Sequence, residues 1–314
     1  MKYSSSKKRM MVQEQIKHVF NVPEPSRLIL SNIRGSVDIQ SGDDTSILVT
    51  AIKHPDTGDA EHTEIFISQR ADDTVTVKTR YRAKSWFLFP RKHPCKVDYI
   101  IRVPRACSLN VSGVSNTATI QGIEGASSID TISGSIDLRN LSGHLKISSV
   151  SGDIKGESLS GTLKLKTVSG DVDFSKSKFG EINGSTVSGD LDIQTQITGP
   201  CHFNSISGDI CLIVPPDTNC SVKVSSVSGE FITALPSSHS QRRNGKGFYE
   251  IGSGGVNLDF DSVSGDLSLT AASSAPAGPQ EELGLDSQEF RHSVLDRIAQ
   301  GKLSVPEALH ELQA

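Results

Sequence analysis

Apolar and polar residues between positions 111 and 270 follow a short repeat. A hexapeptide of the form Thr/Ser-Val/Ile-Ser-Gly-Asp-Ile/Leu/Val, with small variations, occurs seven times, first at residues 131–136 and last at residues 262–267. Its central glycines are Gly134, Gly152, Gly170, Gly189, Gly208, Gly229 and Gly265. Weaker copies lie between the early strong ones, so a strong half and a weak half together form a unit of 18–19 residues.

Within each unit, apolar residues fall two positions before the glycine and two and four positions after it, as Val168, Val172 and Phe174 do around Gly170. This period-two alternation predicts a β-strand with all three side chains on its buried face. Two residues, not one, separate the last apolar position of one half-unit from the first of the next. This break in the alternation predicts a corner. We therefore expect an all-β fold, a β-helix-like solenoid of stacked 18–19-residue coils paired about 4.8 Å apart.

The segments that flank the repeat differ from it. Residues 1–14 are predicted to be a flexible basic N-terminus, and residues 15–110 to form longer, less repetitive strands that cap the solenoid of residues 111–270. The predicted strands cover residues 27–33, 37–40, 46–53, 63–69, 74–80 and 97–103. Residues 236–255, which are rich in glycine, are expected to form a mobile surface loop.

After residue 270 the composition and the period change. Residues 271–285 have the composition of a linker, and residues 286–314 contain two capping boxes that predict a small α-helical hairpin. Its apolar face would consist of Leu295, Ile298, Leu309 and Leu312. Because so small a hairpin cannot be stable alone, we expect residues 286–314 to bind a protein partner or to self-associate.

Carboxylates recur one position after the glycines. If the register holds, Asp153, Asp171, Asp190 and Asp209 stand in one column, which we consider a candidate binding column. Two interpretations of these aspartates are open. Each aspartate caps its own turn by accepting backbone N–H bonds, or the column binds cations. The serines that precede the glycines repeat as regularly, and seven equivalent hydroxyls predict a ladder of hydrogen bonds and no catalytic nucleophile.

One N-terminal segment combines apolar and basic residues. Trp86, Phe87, Leu88 and Phe89 are flanked by arginines and lysines. Such a combination suits a membrane surface or an anionic partner. Alternatively, these side chains plug the end of the solenoid core.

The composition and the motifs argue against several classes of function. The chain has 32 Lys and Arg against 36 Asp and Glu, so no nucleic acid partner is expected. No signal peptide or membrane-spanning run is recognised, and the five cysteines match no zinc pattern. We therefore expect a cytoplasmic protein, free or peripheral to the membrane, with buried or free thiols. No catalytic motif is found, so no enzyme activity, cofactor or metal site is predicted.

The hexapeptides, together with residues 20–40 and 97–104, resemble the bacterial β-strand-repeat family named "putative adhesin", a domain of unknown function. The resemblance covers residues 15–270. Residues 294–312 are similar to the SHOCT-like helical hairpin, which accompanies such repeats in envelope-stress proteins of Gram-positive bacteria. There the hairpin is N-terminal, whereas here it is C-terminal. The resemblance implies a β-repeat fold and no established activity.

Three functions follow as hypotheses. The first is a non-enzymatic scaffold that binds proteins through the solenoid face and the hairpin. The second is a peripheral membrane or envelope-stress component that contacts lipid through residues 86–89. The third is a polysaccharide-binding or, least favoured, polysaccharide-acting protein. Enzymes of the last kind need paired carboxylates with separated pKa values in a cleft, whereas the carboxylates here repeat uniformly.

Overall fold

The protein is described here by a computed structural model that covers residues 13–42, 45–82, 93–243 and 246–272. These residues form 22 strands and one short 3₁₀ turn, Pro55–Thr57. The strands join into one continuous sheet, and the compact unit to which they belong ends at Ala272. The predicted all-β fold is confirmed. The predicted helical hairpin lies outside the described residues.

The N-terminal part combines parallel and antiparallel pairing. Its strands are β1 (Glu14–Asn21), β2 (Arg27–Gly42), β3 (Ser46–His54), β4 (Thr63–Gln69), β5 (Thr74–Tyr81) and β6 (Lys96–Pro104). β3 pairs antiparallel with β1 and β6, and β4 pairs antiparallel with β5. The two predicted strands at residues 27–33 and 37–40 are one continuous strand, β2.

The repeats stack in parallel. Their strands are β7 (Ser108–Gln121), β8 (Ser127–Ser133), β9 (Ile136–Arg139), β10 (Ser142–Ser151), β11 (Ile154–Glu157), β12 (Ser160–Thr167), β13 (Val172–Thr186), β14 (Leu191–Ile197), β15 (Cys201–Ser205) and β16 (Ile210–Val214). Ser142 lies opposite Ser160 and Val172 lies opposite Leu191, so each strand pairs with its equivalent 18 or 19 residues later. We call the strand segments of one repeat a rung.

The last rungs are not stacked in chain order. The remaining strands are β17 (Cys220–Ser226), β18 (Phe231–Thr233), β19 (Ser237–Arg243), β20 (Lys246–Ile251), β21 (Val256–Ser262) and β22 (Leu267–Ala271). β21 pairs in parallel with both β15 and β17, and β22 pairs with both β16 and β18. The final repeat of the sequence is therefore inserted between the two repeats that precede it.

The prediction of a mobile loop at residues 236–255 is wrong. β19 and β20 form an antiparallel hairpin, and β20 continues the stack by pairing antiparallel with β17. The hairpin is held because Tyr249 packs on Phe231, with ring centroids 4.6 Å apart. The glycines suggested a loop, but the aromatic residues between them anchor a strand.

The N-terminal end contains a similar insertion. β2 pairs in parallel with β7 on one side and with β5 and β6 on the other. The first long strand of the stack is thus enclosed, as the last repeat is. At both ends, antiparallel strands follow the outermost parallel ones, which covers edges that could otherwise pair with another chain.

The core is a continuous column of aliphatic and aromatic side chains between the strands. In several rungs a small residue makes room for a large one from the neighbouring rung. A Cβ atom added to Gly156 would strike the ring of Phe174, and one added to Gly184 would strike the ring of Phe203. The apolar position that is vacant at Gly156 in the sequence is therefore filled by the next rung, which keeps the core closely packed.

One predicted part of the burial pattern is wrong. Val172 and Phe174 are each 1% exposed, as expected, but Val168 is 43% exposed. The residue before it, Thr167, is buried in its place. The corner lies immediately before Gly170, so the alternation breaks there and the valine points outward.

The repeat glycines stand in one column in the order Gly134, Gly152, Gly170, Gly189, Gly208, Gly265 and Gly229. From Gly152 onward, a Cβ atom on any of these glycines would collide with the backbone carbonyl oxygen of the glycine one rung earlier. The column therefore requires glycine because backbones of successive rungs touch there, and no side chain fits between them.

We predict that Gly170→Ala destabilises the protein by about 1–3 kcal/mol, because its Cβ has no space against the Gly152 carbonyl. Gly180→Ala is the matched control. Its Cβ would lie 3.7 Å from the Gly161 oxygen, an ordinary contact, so its effect should stay within about 1 kcal/mol. Urea unfolding of both variants measures the difference. Equal losses of stability would contradict the glycine column.

All five cysteines are free thiols. Burial raises the pKa of Cys201 to about 12 and that of Cys220 to about 11. Cys211 is partly exposed, whereas the other four are buried. Because the thiolate is the reactive form, buried thiols with a high pKa should react slowly.

We predict that Cys211 is alkylated by iodoacetamide in the native protein well before the four buried cysteines. Peptide mass spectrometry after timed alkylation measures the order, and Cys211→Ser should remove the fast phase. Fast modification of Cys201 in folded protein would contradict the burial described here.

Candidate functional site

The repeated corner is the first candidate site, and its hydroxyl three positions before the glycine is structural. Thr167 Oγ1 donates to the Gly170 carbonyl at 3.0 Å and accepts from the Gly170 amide at 3.2 Å. Thr186 does the same with Gly189, and Ser262 with Gly265. One buried hydroxyl thus satisfies both backbone groups of the glycine, which would otherwise be buried without partners.

The serine before each glycine joins neighbouring rungs. Ser169 Oγ donates to the carbonyl of Val150 at 3.1 Å, and Ser188 Oγ donates to that of Val168 at the same distance. The same bond recurs at Ser207, Ser228 and Ser264. These hydroxyls form the expected kind of ladder, in which each one bonds to a backbone carbonyl.

The aspartates of the predicted column do stand above one another, but they do not cap their own turns. The carboxylate of each accepts the backbone N–H of the aspartate one rung later. Asp190 N donates to Asp171 Oδ1 at 3.1 Å, and Asp209 N donates to Asp190 Oδ1 at 2.8 Å. The same bond links Asp153 to Asp171, Asp209 to Asp266 and Asp266 to Glu230. The column therefore joins rungs, since each carboxylate bonds beyond its own turn.

These hydrogen bonds occupy carboxylate oxygens that a cation-binding column would use. In each of these aspartates, Oδ1 is already bonded to a backbone amide. Among residues 13–42, 45–82, 93–243 and 246–272, no group of three His, Cys, Asp or Glu residues is placed to hold a metal ion. The candidate binding column thus presents a line of exposed negative charge along one face of the stack.

That face is crowded with negative charge. Loss of hydration raises the pKa of Asp192, and the charges of Asp173, Asp190 and Asp171 raise it further. Asp192 lies two positions beyond Asp190 and opposite Asp173 in the adjacent strand. Like charges at such positions destabilise a sheet, so this face carries an electrostatic cost.

In one rung, glycine and the larger polar residue of the corner have exchanged positions. At this rung Gly113 stands where the others have a buried hydroxyl, and Asn116 stands in the glycine column, next to Gly134. A Cβ on Gly113 would collide with the Asn116 side chain, so the amide occupies the space that the hydroxyl fills elsewhere. The space at the corner therefore stays filled, but this copy of the repeat does not match the hexapeptide in sequence.

The outward residues two positions before the glycines form a continuous apolar column, which sequence reasoning had placed inside. We call it the aliphatic ladder. It consists of Ile33, Val114, Ile132, Val150, Val168, Val187, Ile206, Val263 and Val227. The last eight are 40–83% exposed. Nine rungs at about 4.8 Å give a stripe about 38 Å long, and contiguous exposed apolar surface of this kind marks interaction sites.

A groove runs beside the first five residues of the ladder. It has a volume of about 520 Å³. Outward residues four positions before the glycine, such as Ser148 and Lys166, line its other side, and the backbone at Ser149 and Thr167 forms its floor. The ladder is thus a ridge with this groove on one side. On its other side, beside the first three ladder residues, lies a polar pocket of about 630 Å³ that is lined by Arg34, Ser36 and Asn116.

A second polar cluster lies near the N-terminal end of the stack. Asp98 Oδ1 accepts from the backbone N and the Oγ of Ser36, and His54 Nε2 lies 2.6 Å from Asp98 Oδ2. Burial raises the pKa of Asp98, but the bonds from Ser36 and His54 outweigh it and lower the pKa overall. Because Ser36 and His54 both bond to the carboxylate, this is not the arrangement in which a histidine activates a serine. The cluster links β2, β3 and β6.

Two sets of predicted site residues lie outside the described residues. These are Trp86, Phe87, Leu88 and Phe89, and the hairpin face Leu295, Ile298, Leu309 and Leu312. Their roles in membrane or partner binding stay predictions. In the part of the chain that the structure describes, no helix has the length and apolar character needed to cross a bilayer.

Comparison with protein families shows where the chain belongs. Residues 26–270 match the family described as Toastrack DUF4097. The match spans the parallel stack and most of its antiparallel flanks, so the chain is a member of this family. Comparison with curated proteins finds no match.

Several solved structures match most of this chain while they share little sequence with it. A putative adhesin from Bacteroides fragilis is 14% identical, covers 82% of this chain and 97% of its own, and has a TM-score of 0.46. A putative lipid binding protein from Parabacteroides distasonis is 12% identical, covers 82% and 96%, and has a TM-score of 0.43. A putative adhesin from Parabacteroides merdae is 10% identical, covers 83% and 96%, and has a TM-score of 0.37.

We predict that Asp192→Asn raises the melting temperature at neutral pH. A carboxyl whose pKa is raised by folding favours the protonated form, so stability falls as the pH rises from the unfolded value through the folded one. The gain from Asp192→Asn should therefore shrink as the pH is lowered toward 4, as thermal unfolding at several pH values measures.

Asp98→Asn is the contrasting variant. Its pKa is lowered on folding, so its contribution is present at neutral pH and is lost on acidification. Asp98→Asn should lower the melting temperature at neutral pH. A gain at Asp98 or a loss at Asp192 would contradict the electrostatics described here.

Proposed function

We propose that this chain is a non-enzymatic β-solenoid scaffold of the adhesin type, which binds protein partners through the aliphatic ladder and through residues 286–314. The observation that carries the proposal is the aliphatic ladder itself. It repeats over nine rungs, it faces outward, and folding does not require it to be apolar. An apolar stripe of this length costs solubility, which favours a role in binding.

The chemistry of the corner supports binding over catalysis. The hydroxyls before the glycines bond to backbone carbonyls, and the carboxylates after them bond to backbone amides. Hydrolysis of a glycan would need one carboxyl to act as an acid and a second as a base or nucleophile across a cleft. The aspartates here lie in a line on an exposed face, which suits recognition of a surface.

Co-purification with quantitative mass spectrometry tests the proposal. Tagged full-length protein, expressed in its native host, should retain partners that Ile132→Lys or Leu309→Asp loses. Ile100→Lys is the matched control, because Ile100 is a similarly exposed isoleucine on β6, away from the ladder. Circular dichroism checks that each variant folds. Identical partner sets for all four proteins would contradict the proposal, as would glycan turnover abolished by a single Asp substitution.

A further inference from the structure

We propose that the aliphatic ladder is the contact between two copies of this chain, which pair side by side with their rungs running in the same direction. The inference rests on the binding role proposed above and names the partner. It follows from the shape, the spacing, the area and the charges of the ladder and its groove.

The shape selects the orientation. The apolar groove lies on the side of the ladder that carries Ser148 and Lys166. A two-fold axis parallel to the ladder places the ridge of each copy over the groove of the other. A two-fold axis perpendicular to the ladder, in the plane of contact, would place ridge against ridge and groove against groove. Only the parallel pair therefore lets both ridges interlock, as a closed two-fold interface requires.

The spacing makes the fit extend over many rungs. Each copy presents one branched aliphatic side chain per rung, at the strand separation of about 4.8 Å. A second copy has the same separation, so in a parallel pair every rung comes into register at once. A partner with another repeat length would lose register after a few rungs.

The whole ladder supplies much of the area that a specific dimer needs. Its eight most exposed residues present on the order of 600 Å² per copy, against ~800 Å² per partner of standard interfaces, and four of the eight lie on rungs that border the groove. Residues that border the groove add to this surface. The centre of the interface would be apolar and its borders polar, which is the usual anatomy of protein interfaces.

The charges favour the same orientation. Asp130 and Lys166 line the groove itself, and beyond it the outer face carries Lys146 and Lys164. Beyond the ridge lies the acidic column, with Asp153 and Asp171 on the same rungs. In the parallel pair the lysines of one copy face the aspartates of the other. A pair with the opposite direction would bring the two acidic columns together, and like charges would oppose it.

Sedimentation velocity of the full-length protein over a concentration series tests the inference. The wild type should show a reversible dimer. Ile132→Lys places two charges in the interface and should raise the dissociation constant at least about tenfold, as substitutions at the centre of an interface do. Ile100→Lys should dimerise as the wild type does. Added salt should weaken the dimer, because it screens the facing charges.

Cross-linking tests the orientation. In a Cys211→Ser background, Ile132→Cys and Val168→Cys, made separately, should each give dimers with a short bismaleimide, since the same rungs meet in a parallel pair. In a pair of opposite direction, both positions could not meet their own copies.

Several outcomes would overturn the inference. These are a monomer at all concentrations, a dimer that Ile132→Lys leaves intact, and cross-linking at only one of the two positions. Native mass spectrometry adds another, a monomer that carries a lipid-sized mass which Ile132→Lys removes. Loss of other partners in the co-purification with an unchanged dimer would refute self-pairing through the ladder and leave the proposed function standing.

Discussion

The repeat stack depends on direct contact between backbones at the glycine column. From Gly152 onward, strands of successive rungs lie too close there for any side chain, so these positions admit only glycine. At Gly170, Gly189 and Gly265 the buried hydroxyl three residues earlier then satisfies both the amide and the carbonyl of the glycine. The neighbouring serine and aspartate face outward. The serine bonds to the preceding rung, and the aspartate accepts a bond from the following rung. The whole corner therefore follows from the need to bury a backbone without leaving polar groups unpaired.

Because the corner uses its polar groups internally, its chemistry is largely structural. The outward position two residues before the glycine is different, because nothing in the fold demands an apolar side chain there. Branched aliphatic residues suit the extended backbone, but threonine would serve as well. The repeated valines and isoleucines therefore indicate a contact surface, whereas the serines and aspartates join the rungs of the stack.

The sequence predicts the all-β class, the 18–19-residue register and most strand positions, because the glycine spacing and the alternation carry that information. It fails at Val168 because alternation cannot show on which side of a corner the phase breaks, and a buried threonine beside an exposed valine reverses the usual preference. The inserted final repeat was missed because the long gap between Gly229 and Gly265 resembles a loop. The rung with Gly113 and Asn116 was missed because its two residues are exchanged. The cluster at Asp98 depends on contacts distant in sequence, which no local pattern reveals.

The enclosed final repeat has a mechanical consequence. A stack built in simple chain order can peel from its end, one repeat at a time, when its terminus is pulled. Here β22, the strand that ends next to Ala272, is hydrogen-bonded on both sides, to β16 and to β18. Traction on that end must break two ladders of hydrogen bonds at once and shear a layer out of the interior. The domain should therefore resist stretching along this path until it fails as a whole.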